Sequence, residues 1–198
     1  MGKEGRAGGR LTMIRDAMSV MLLAAMTAAP LGAAPAPSRL PRVLVSHTLL
    51  TGGAPIAAEV LAIHNAERRA AGVPKLVWDE SLAQQARTYA HELARLGQLR
   101  HSAAPSRPGQ GENLWMGTRD AFSTASMVGA WASERRMFRP ARFPNVSTTG
   151  NWAQVGHYTQ MIWPGTQRVG CSVSKGARTD VLVCRYLPAG NVMGSPVP

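Results

Sequence analysis

Residues 156–163, Gly-His-Tyr-Thr-Gln-Met-Ile-Trp, place an imidazole, a phenol, a hydroxyl and an amide side by side before the chain turns apolar. Read as a strand, with its side-chain period of two, this stretch puts His157 and Thr159 on one face and Tyr158 and Gln160 on the other. Polar groups on both faces are typical of a strand that lines a cleft. A histidine there acts as a ligand, a base or a structural hydrogen-bonding group, and these residues alone leave all three roles open.

A second group with chemical potential is the carboxylate of Glu134. The apolar pattern predicts a third helix from residue 119 or 120 to residue 138, on which Trp131 and Glu134 lie three positions apart and share a face. An acid beside a tryptophan on a mainly buried stripe indicates that Glu134 points at a specific partner. Glu112, by contrast, lies between a glycine and an apolar run, where a solvated acid would be ordinary.

Several common enzyme signatures are missing from the sequence. It contains no phosphate-binding loop, no Gly-x-Ser-x-Gly nucleophile motif and no His-Glu-x-x-His zinc helix. The residues therefore favour binding over a recognisable nucleophilic or phosphoryl-transfer chemistry.

The N-terminal residues have the three parts of a secretory signal peptide. Basic residues precede an apolar run over residues 17–29, and small residues follow at positions 32–34. The run is too short to span a bilayer comfortably as a retained helix. We predict a signal peptide over residues 1–33, cleavage near Ala33 or Ala34, translation from Met1 or Met13, and a secreted or periplasmic product.

The protein is strongly basic, with a formal net charge of +11. Removing residues 1–33 takes away four basic and two acidic residues, which leaves +9. Such a charge favours anionic partners, such as cell-envelope polymers or a membrane surface, although scattered arginines also fit an arginine-rich genome. Export argues against nucleic acid as the natural partner.

Cys171 and Cys184 are the only cysteines in the sequence. In an oxidising compartment we expect them to form one disulfide. A zinc site built from both cysteines is the weaker alternative, because neither has a cysteine or histidine neighbour at ligand spacing.

The remaining pattern predicts an α+β protein, with helices first and strands in the last third. Residues 34–55 read as a Pro- and Ala-rich linker or arm, and a first helix follows from Ile56 to about Gly72. We expect His64 and Arg68 on its surface, hydrogen-bonded to a neighbouring loop. The other predicted elements are a second helix capped by Asp79 and ended by Gly97, strands over residues 168–173 and 181–187, and a Pro-rich tail over residues 195–198.

Two motifs near the C-terminus resemble the signatures of a known family. Residues 156–163 and residues 183–191, Val-Cys-Arg-Tyr-Leu-Pro-Ala-Gly-Asn, look like the two signature motifs of the CAP superfamily of cysteine-rich secretory proteins, venom antigens and plant pathogenesis-related class 1 proteins. Each motif is weak, but the ordered set across residues 56–194 is highly specific. The further matches are His64-Asn65 with Arg68, Arg100-His101-Ser102, Gly111-Glu112-Asn113-Leu114, and Trp131 with Glu134.

The resemblance implies an α-β-α sandwich in which a central antiparallel sheet lies between helices and a large cleft opens at the surface. Similar proteins gather two histidines and two acids in that cleft, which correspond to His101, His157, Glu112 and Glu134. Imidazoles are common Zn²⁺ ligands, and carboxylates complete the shell or fix the tautomer of the ligating ring. The resemblance also suggests a lipid or sterol as ligand.

A single cysteine pair is fewer than plant relatives carry, which suggests a bacterial member of the family. Three functions follow as hypotheses: a secreted, non-enzymatic, defence- or envelope-related protein that binds a divalent metal and a lipid or sterol; a metal-dependent, protease-like hydrolase with a glutamate as general base; and a basic cell-envelope module with a vestigial cleft.

Overall fold

The computed structural model describes residues 54–198, with side chains from residue 56 onwards. The predicted signal peptide and nearly all of the predicted linker lie outside the described residues. The helices are α1 (Ala54–Ala70), α2 (Glu80–Leu96), α3 (Thr124–Ala132) and α4 (Gly156–Met161), with short 3₁₀ turns at Ala104–Ser106, Ser133–Met137 and Trp152–Gln154. The strands are β1 (Val77–Trp78), β2 (Gly111–Thr118), β3 (Ala141–Arg142), β4 (Arg168–Lys175), β5 (Thr179–Leu187) and β6 (Pro196–Val197).

The main sheet has four strands in the order β1-β4-β5-β2. β2 and β4 both pair antiparallel with β5, while the two-residue β1 pairs parallel with β4. The antiparallel prediction therefore holds for the three long strands, and the short parallel strand makes the sheet mixed.

The two faces of the sheet are covered by different helices. The side chains of Leu114, Val181 and Val183 form one apolar cluster with residues of α2. The intervening Leu182 and Cys184 point the other way, into the larger cluster that includes residues of α1, α3 and α4. This alternation follows from the period of two along a strand. The result is the predicted α-β-α sandwich.

Helix α2 begins and ends where the sequence predicts. The side chain of Asp79 accepts a hydrogen bond from the amide of Leu82 at 3.0 Å, which satisfies one of the free donors of the first turn. Gly97 ends the helix with a positive φ of 63°, a conformation that favours glycine, and its amide donates to the carbonyl of Leu93. Both end signals are confirmed.

The disulfide between Cys171 and Cys184 is also confirmed. The two residues are directly opposite each other on the paired strands β4 and β5, and both are buried. The disulfide joins two strands of the sandwich, so the alternative in which the cysteines bind zinc is wrong.

The prediction of a strand over residues 156–163 is wrong, because these residues begin with helix α4. The carboxylate of Glu134 accepts hydrogen bonds from the amides of His157 and Tyr158, at 3.1 and 3.0 Å, and so caps the first turn. Residues 158–161 are then buried. Tertiary contacts, rather than a long apolar periodicity, stabilise this short helix.

The predicted third helix is shorter and less regular than expected. α3 begins after Ser123, whose hydroxyl accepts a hydrogen bond from the amide of Ser126, and it ends at Ala132. The chain continues as a 3₁₀ turn, Ser133–Met137, which contains Glu134. The predicted tail also differs, because its two-residue strand β6 pairs with β3.

His64 and Arg68 are fully buried, so their predicted position on a helix surface is wrong. The guanidinium of Arg68 donates to the carbonyls of Met161, Trp163 and Thr166 at 2.9 to 3.0 Å. The prediction of loop contacts is correct for Arg68, and these carbonyls offset the cost of burying its charge. Within the described residues, no helix has the length and apolar character needed to cross a bilayer.

Candidate functional site

The first half of the candidate site is the pair His101 and Glu112. His101 lies in the loop that follows α2, and Glu112 is the second residue of β2. The imidazole Nδ1 donates to Oε1 of Glu112 at 2.7 Å. The Glu112 side chain is 0% exposed, whereas that of His101 is 57% exposed. A buried carboxylate therefore holds an imidazole that reaches the surface.

Three further residues fix the carboxylate of Glu112. The amide and hydroxyl of Ser102 each donate to it at 3.0 Å, and Arg185 Nη1 lies 3.0 Å from Oε2. Arg107 Nε is 3.9 Å from Oε1. Burial would raise the pKa of Glu112, but the hydrogen bond from His101, the charge of Arg185 and the bonds from Ser102 together lower it below the usual value. Glu112 is thus held as a carboxylate.

The second half of the site is the pair His157 and Glu134. The Nδ1 of His157 donates to Oε1 of Glu134 at 2.6 Å, while Oε2 caps the first turn of α4. The indole of Trp131 stacks on the imidazole, with ring centroids 5.8 Å apart and an angle of 15° between the planes. The partner predicted for Glu134 beside Trp131 is therefore His157.

The two histidines line the same cavity, which has a volume of about 410 Å³. Glu112 also lines it, whereas Glu134 is not among its lining residues. The structure thus brings His101, His157 and Glu112 to one cavity and places Glu134 behind the ring of His157. His157 is 33% exposed and Glu134 16% exposed, so the ring is the accessible member of this pair.

The two histidine–carboxylate pairs are built in the same way. In each, Nδ1 donates to a carboxylate, and this hydrogen bond favours the neutral tautomer whose Nε2 carries a free lone pair. Two such imidazoles in one cavity can donate two nitrogen ligands to a divalent metal. Within residues 54–198, no group of three or more histidine, cysteine or acidic residues is gathered to hold a metal. Among the described residues, a metal at this cavity would therefore have only these two imidazoles as histidine ligands, and water or a ligand would have to fill its other positions.

The cavity also has apolar walls. Phe143 and Trp152 line it and pack edge to face, with ring centroids 5.1 Å apart, and Met193 lines it as well. Trp152 and Met193 are among the exposed large apolar residues of the described chain. Amphipathic ligands fit such a site, because their polar group can lie near the histidines and their apolar part against these side chains.

Beneath His157 runs a buried hydrogen-bond network. Asn113 donates both to the carbonyl of His157, at 3.1 Å, and to the hydroxyl of Tyr186, at 3.2 Å. The Tyr186 hydroxyl is 2.9 Å from Nε2 of His64, whose Nδ1 donates to the carbonyl of Val60. Burial lowers the pKa of His64 to about 4 and raises that of Tyr186, so both are neutral. Through Asn113, this network holds the carbonyl of His157 in α4.

The neighbours of His157 are not arranged as a strand would arrange them. Thr159, expected to face the cleft, is fully buried, and its hydroxyl donates to Asn191 at 2.7 Å. Gln160, which a strand would place on the face opposite His157, lines the cavity and accepts a hydrogen bond from the amide of Gly190. Tyr158 packs against Phe138 as a purely structural side chain. The helical period accounts for both changes.

Sequence reasoning missed the residues that hold Glu112, above all Arg185. An arginine directly after Cys184 in an otherwise apolar strand is the available signal, because a buried charge needs a partner. Arg185 lies opposite Glu112 in the register of β2 and β5, so the strand pairing would have identified that partner.

Comparison with known proteins finds relatives that match most of the chain. Residues 61–186 match the family described as "CAP: Cysteine-rich secretory protein family". A pathogenesis-related protein of the PR-1 type from Sambucus nigra is 37% identical over 132 residues, which cover 66% of this chain and 75% of the relative.

Two solved structures share the fold. The crystal structure of NaASP2 with Zn²⁺ superposes with a TM-score of 0.62 and 26% identity, over 72% of this chain and 84% of that one. The crystal structure of Na-ASP-1 gives the same TM-score and identity over 72% of this chain, which spans only 41% of that longer protein.

Proposed function

This chain belongs to the CAP family of cysteine-rich secretory proteins, and we propose that it is an exported, non-enzymatic protein whose cavity binds Zn²⁺ through His101 and His157. The observation that carries the proposal is the matched pairing of each Nδ1 with a carboxylate, at 2.7 and 2.6 Å, on the wall of one cavity. The secretory description of the family supports export. The predicted signal peptide remains a prediction.

In this proposal the carboxylates of Glu112 and Glu134 orient the imidazoles. Nε2 of each ring would be the ligand atom. A bound Zn²⁺ would present open coordination positions to an oxygen or nitrogen atom of a ligand. The relative NaASP2 has been crystallised with Zn²⁺, which supports the choice of this metal.

The apolar wall of the cavity supports a lipid or sterol as the second ligand. Phe143, Trp152 and Met193 offer surface to an apolar body, and the histidine pair lies in the same cavity. A Trp152→Ser variant should weaken binding of a fluorescent sterol while leaving Zn²⁺ affinity intact. Equal sterol binding by the variant and the parent would remove this part of the proposal.

Titration calorimetry with Zn²⁺ tests the metal site. We expect the His101→Ala/His157→Ala variant to lose saturable binding, and each single variant to bind more weakly than the parent. His91→Ala is the matched control, because His91 is exposed on α2 and does not line this cavity. Unchanged affinity in the double variant would contradict the proposal.

Two alternative functions have observations of their own. A hydrolase would need a free general base, yet both carboxylates already accept hydrogen bonds from histidines. Turnover of a peptide or cell-wall panel that is lost in Glu112→Gln or Glu134→Gln would favour it.

A basic envelope module is favoured by the exposed arginines Arg136, Arg139 and Arg142. Salt-sensitive binding to anionic cell wall that survives the double histidine substitution would support this function.

A further inference from the structure

A second cavity, with a volume of about 670 Å³, lies between α2 and the loop of residues 100–106. It shares only His101 with the cavity described above. Gln85, Thr88 and Tyr89 of α2 form one side, and Ala103 and Ser106 line it from the loop. Apart from His101, no residue of the proposed metal site lines this space.

Arg185 lines the second cavity with an incompletely satisfied guanidinium. Its side chain is 5% exposed, and Nη1 makes the contacts to Ser102, at 2.9 Å, and to Glu112. Nε is buried and has no hydrogen-bond partner among the described residues. A buried donor without a partner costs free energy, so it indicates a ligand or a water molecule.

The geometry of a guanidinium decides which ligand fits. Nε and Nη2 lie on one planar edge and donate in parallel, which matches the two oxygens of a carboxylate. In Arg185 the contacts to Ser102 and Glu112 fall on Nη1, away from that edge. The ring of Tyr89, 5.2 Å from the guanidinium carbon, and the methyl group of Ala103 supply apolar surface for the body of the ligand.

The charge balance around the cavity favours a monoanion. Among the residues that line the cavity, Arg100 and Arg185 are cationic and Glu92, which pairs with Arg100 at 3.3 Å, is anionic. Two cations thus accompany one carboxylate, which leaves one positive charge in excess. A singly charged carboxylate neutralises it, whereas a phosphate dianion would reverse the balance.

We propose that the cavity between α2 and the loop of residues 100–106 binds a small organic carboxylate, which lies side-on against the Nε–Nη2 edge of Arg185. Binding here needs no metal, although His101 lines both cavities. It goes beyond the proposed function and stands or falls separately from it.

The test uses benzoate as the probe and the protein freed of metal with a chelator, so that coordination to Zn²⁺ cannot contribute. Ligand-observed NMR should show saturable benzoate binding, and benzamide, its neutral isostere, should bind about tenfold more weakly or worse. Thr88→Phe should abolish binding by filling the cavity from the exposed face of α2. Thr88→Ala is the matched control and should retain it, as should His157→Ala.

Arg185→Lys keeps the charge but removes the bidentate edge, and benzoate binding should fall about tenfold. Circular dichroism checks that Arg185→Lys is folded. If Arg185→Lys does not fold, Thr88→Phe still tests the site. Equal binding of benzoate and benzamide, or benzoate binding that survives Thr88→Phe, would overturn the proposal. Inorganic phosphate that competes as well as benzoate would overturn the assignment to carboxylates. Neither result would affect the Zn²⁺ titration.

Discussion

Glu112 and Arg185 form a buried ion pair across strands β2 and β5, with Oε2 and Nη1 3.0 Å apart and exposed fractions of 0% and 5%. Desolvation lowers the pKa of Arg185, and the nearby carboxylate of Glu112 opposes that shift. The same carboxylate holds His101 through its other oxygen. One side chain therefore links the core of the sheet to the surface of the candidate metal site.

The first prediction follows from this pair. Glu112→Gln leaves a buried guanidinium without its counter-charge, and such changes typically cost about 3–5 kcal/mol of unfolding free energy. Glu134→Gln is the matched control, because Glu134 is partly exposed and its recorded partners are the ring of His157 and two amides. It should cost clearly less. Urea unfolding at neutral pH measures both, and equal costs would show that the pair with Arg185 contributes little.

The second prediction concerns pH. The pKa of His64 falls from its ordinary 6.5 to about 4 because the ring is buried. Below pH 6.5 the His64 imidazole of the unfolded chain is protonated, whereas that of the folded protein stays neutral. The contribution of His64 to the unfolding free energy is therefore fully present above pH 6.5 and decreases as the pH falls towards 4. Between pH 7.5 and 5 this loss amounts to about 2 kcal/mol.

Urea unfolding at several pH values checks the effect by comparing the parent with His64→Gln. The variant should lose this part of the pH dependence, while His91→Gln, which removes an exposed imidazole, should keep it. A parent-like slope in His64→Gln would refute the assignment.

Local signals in the sequence were sufficient for part of the fold. Asp79 and Gly97 mark the two ends of α2, because capping depends on residues within one turn of the helix end. Cys171 and Cys184 are the only cysteines in the sequence, so their pairing follows from the expectation of an oxidising compartment. Family resemblance, rather than periodicity, suggested that His101, His157, Glu112 and Glu134 meet.

Other features depend on contacts between distant residues. α4 has only six residues, and its first turn is capped by Glu134, which lies 23 positions before His157. Arg68 is buried because carbonyls more than 90 residues away accept its hydrogen bonds. Neither partner is visible in a local pattern, which therefore predicts a strand in place of α4 and a surface position for Arg68.

The third prediction concerns the glycine that packs on α4. A methyl group at Gly190 would lie 2.7 Å from Cγ of Trp163 and 2.8 Å from Nε2 of Gln160. Gly190→Ala should therefore cost about 1–3 kcal/mol through overpacking. It should also weaken Zn²⁺ binding, because Gln160 lies on the helix that carries His157.

Gly129→Ala in α3 is the control for this substitution. A methyl group there meets no atom within 4 Å, and alanine favours the helix, so the change should be neutral or stabilise by about 0.5–1 kcal/mol. Unfolding and Zn²⁺ titrations compare the two variants. A Gly190→Ala protein as stable as Gly129→Ala would mean that α4 moves freely to accommodate the methyl group.

The last prediction concerns Arg68, whose guanidinium donates to three carbonyls around the turn that follows α4 and to the carbonyl of Pro74. Lysine keeps the charge but cannot reproduce this planar set of bonds, and it leaves buried carbonyls without donors. Arg68→Lys should therefore lower the unfolding free energy by about 2–4 kcal/mol, whereas Arg69→Lys, on the exposed side of α1, should change it by less than about 0.5 kcal/mol. Amide hydrogen exchange should locate the damage in Arg68→Lys at residues 161–166. If exchange there stays as slow as in the parent, Arg68 does not hold this turn.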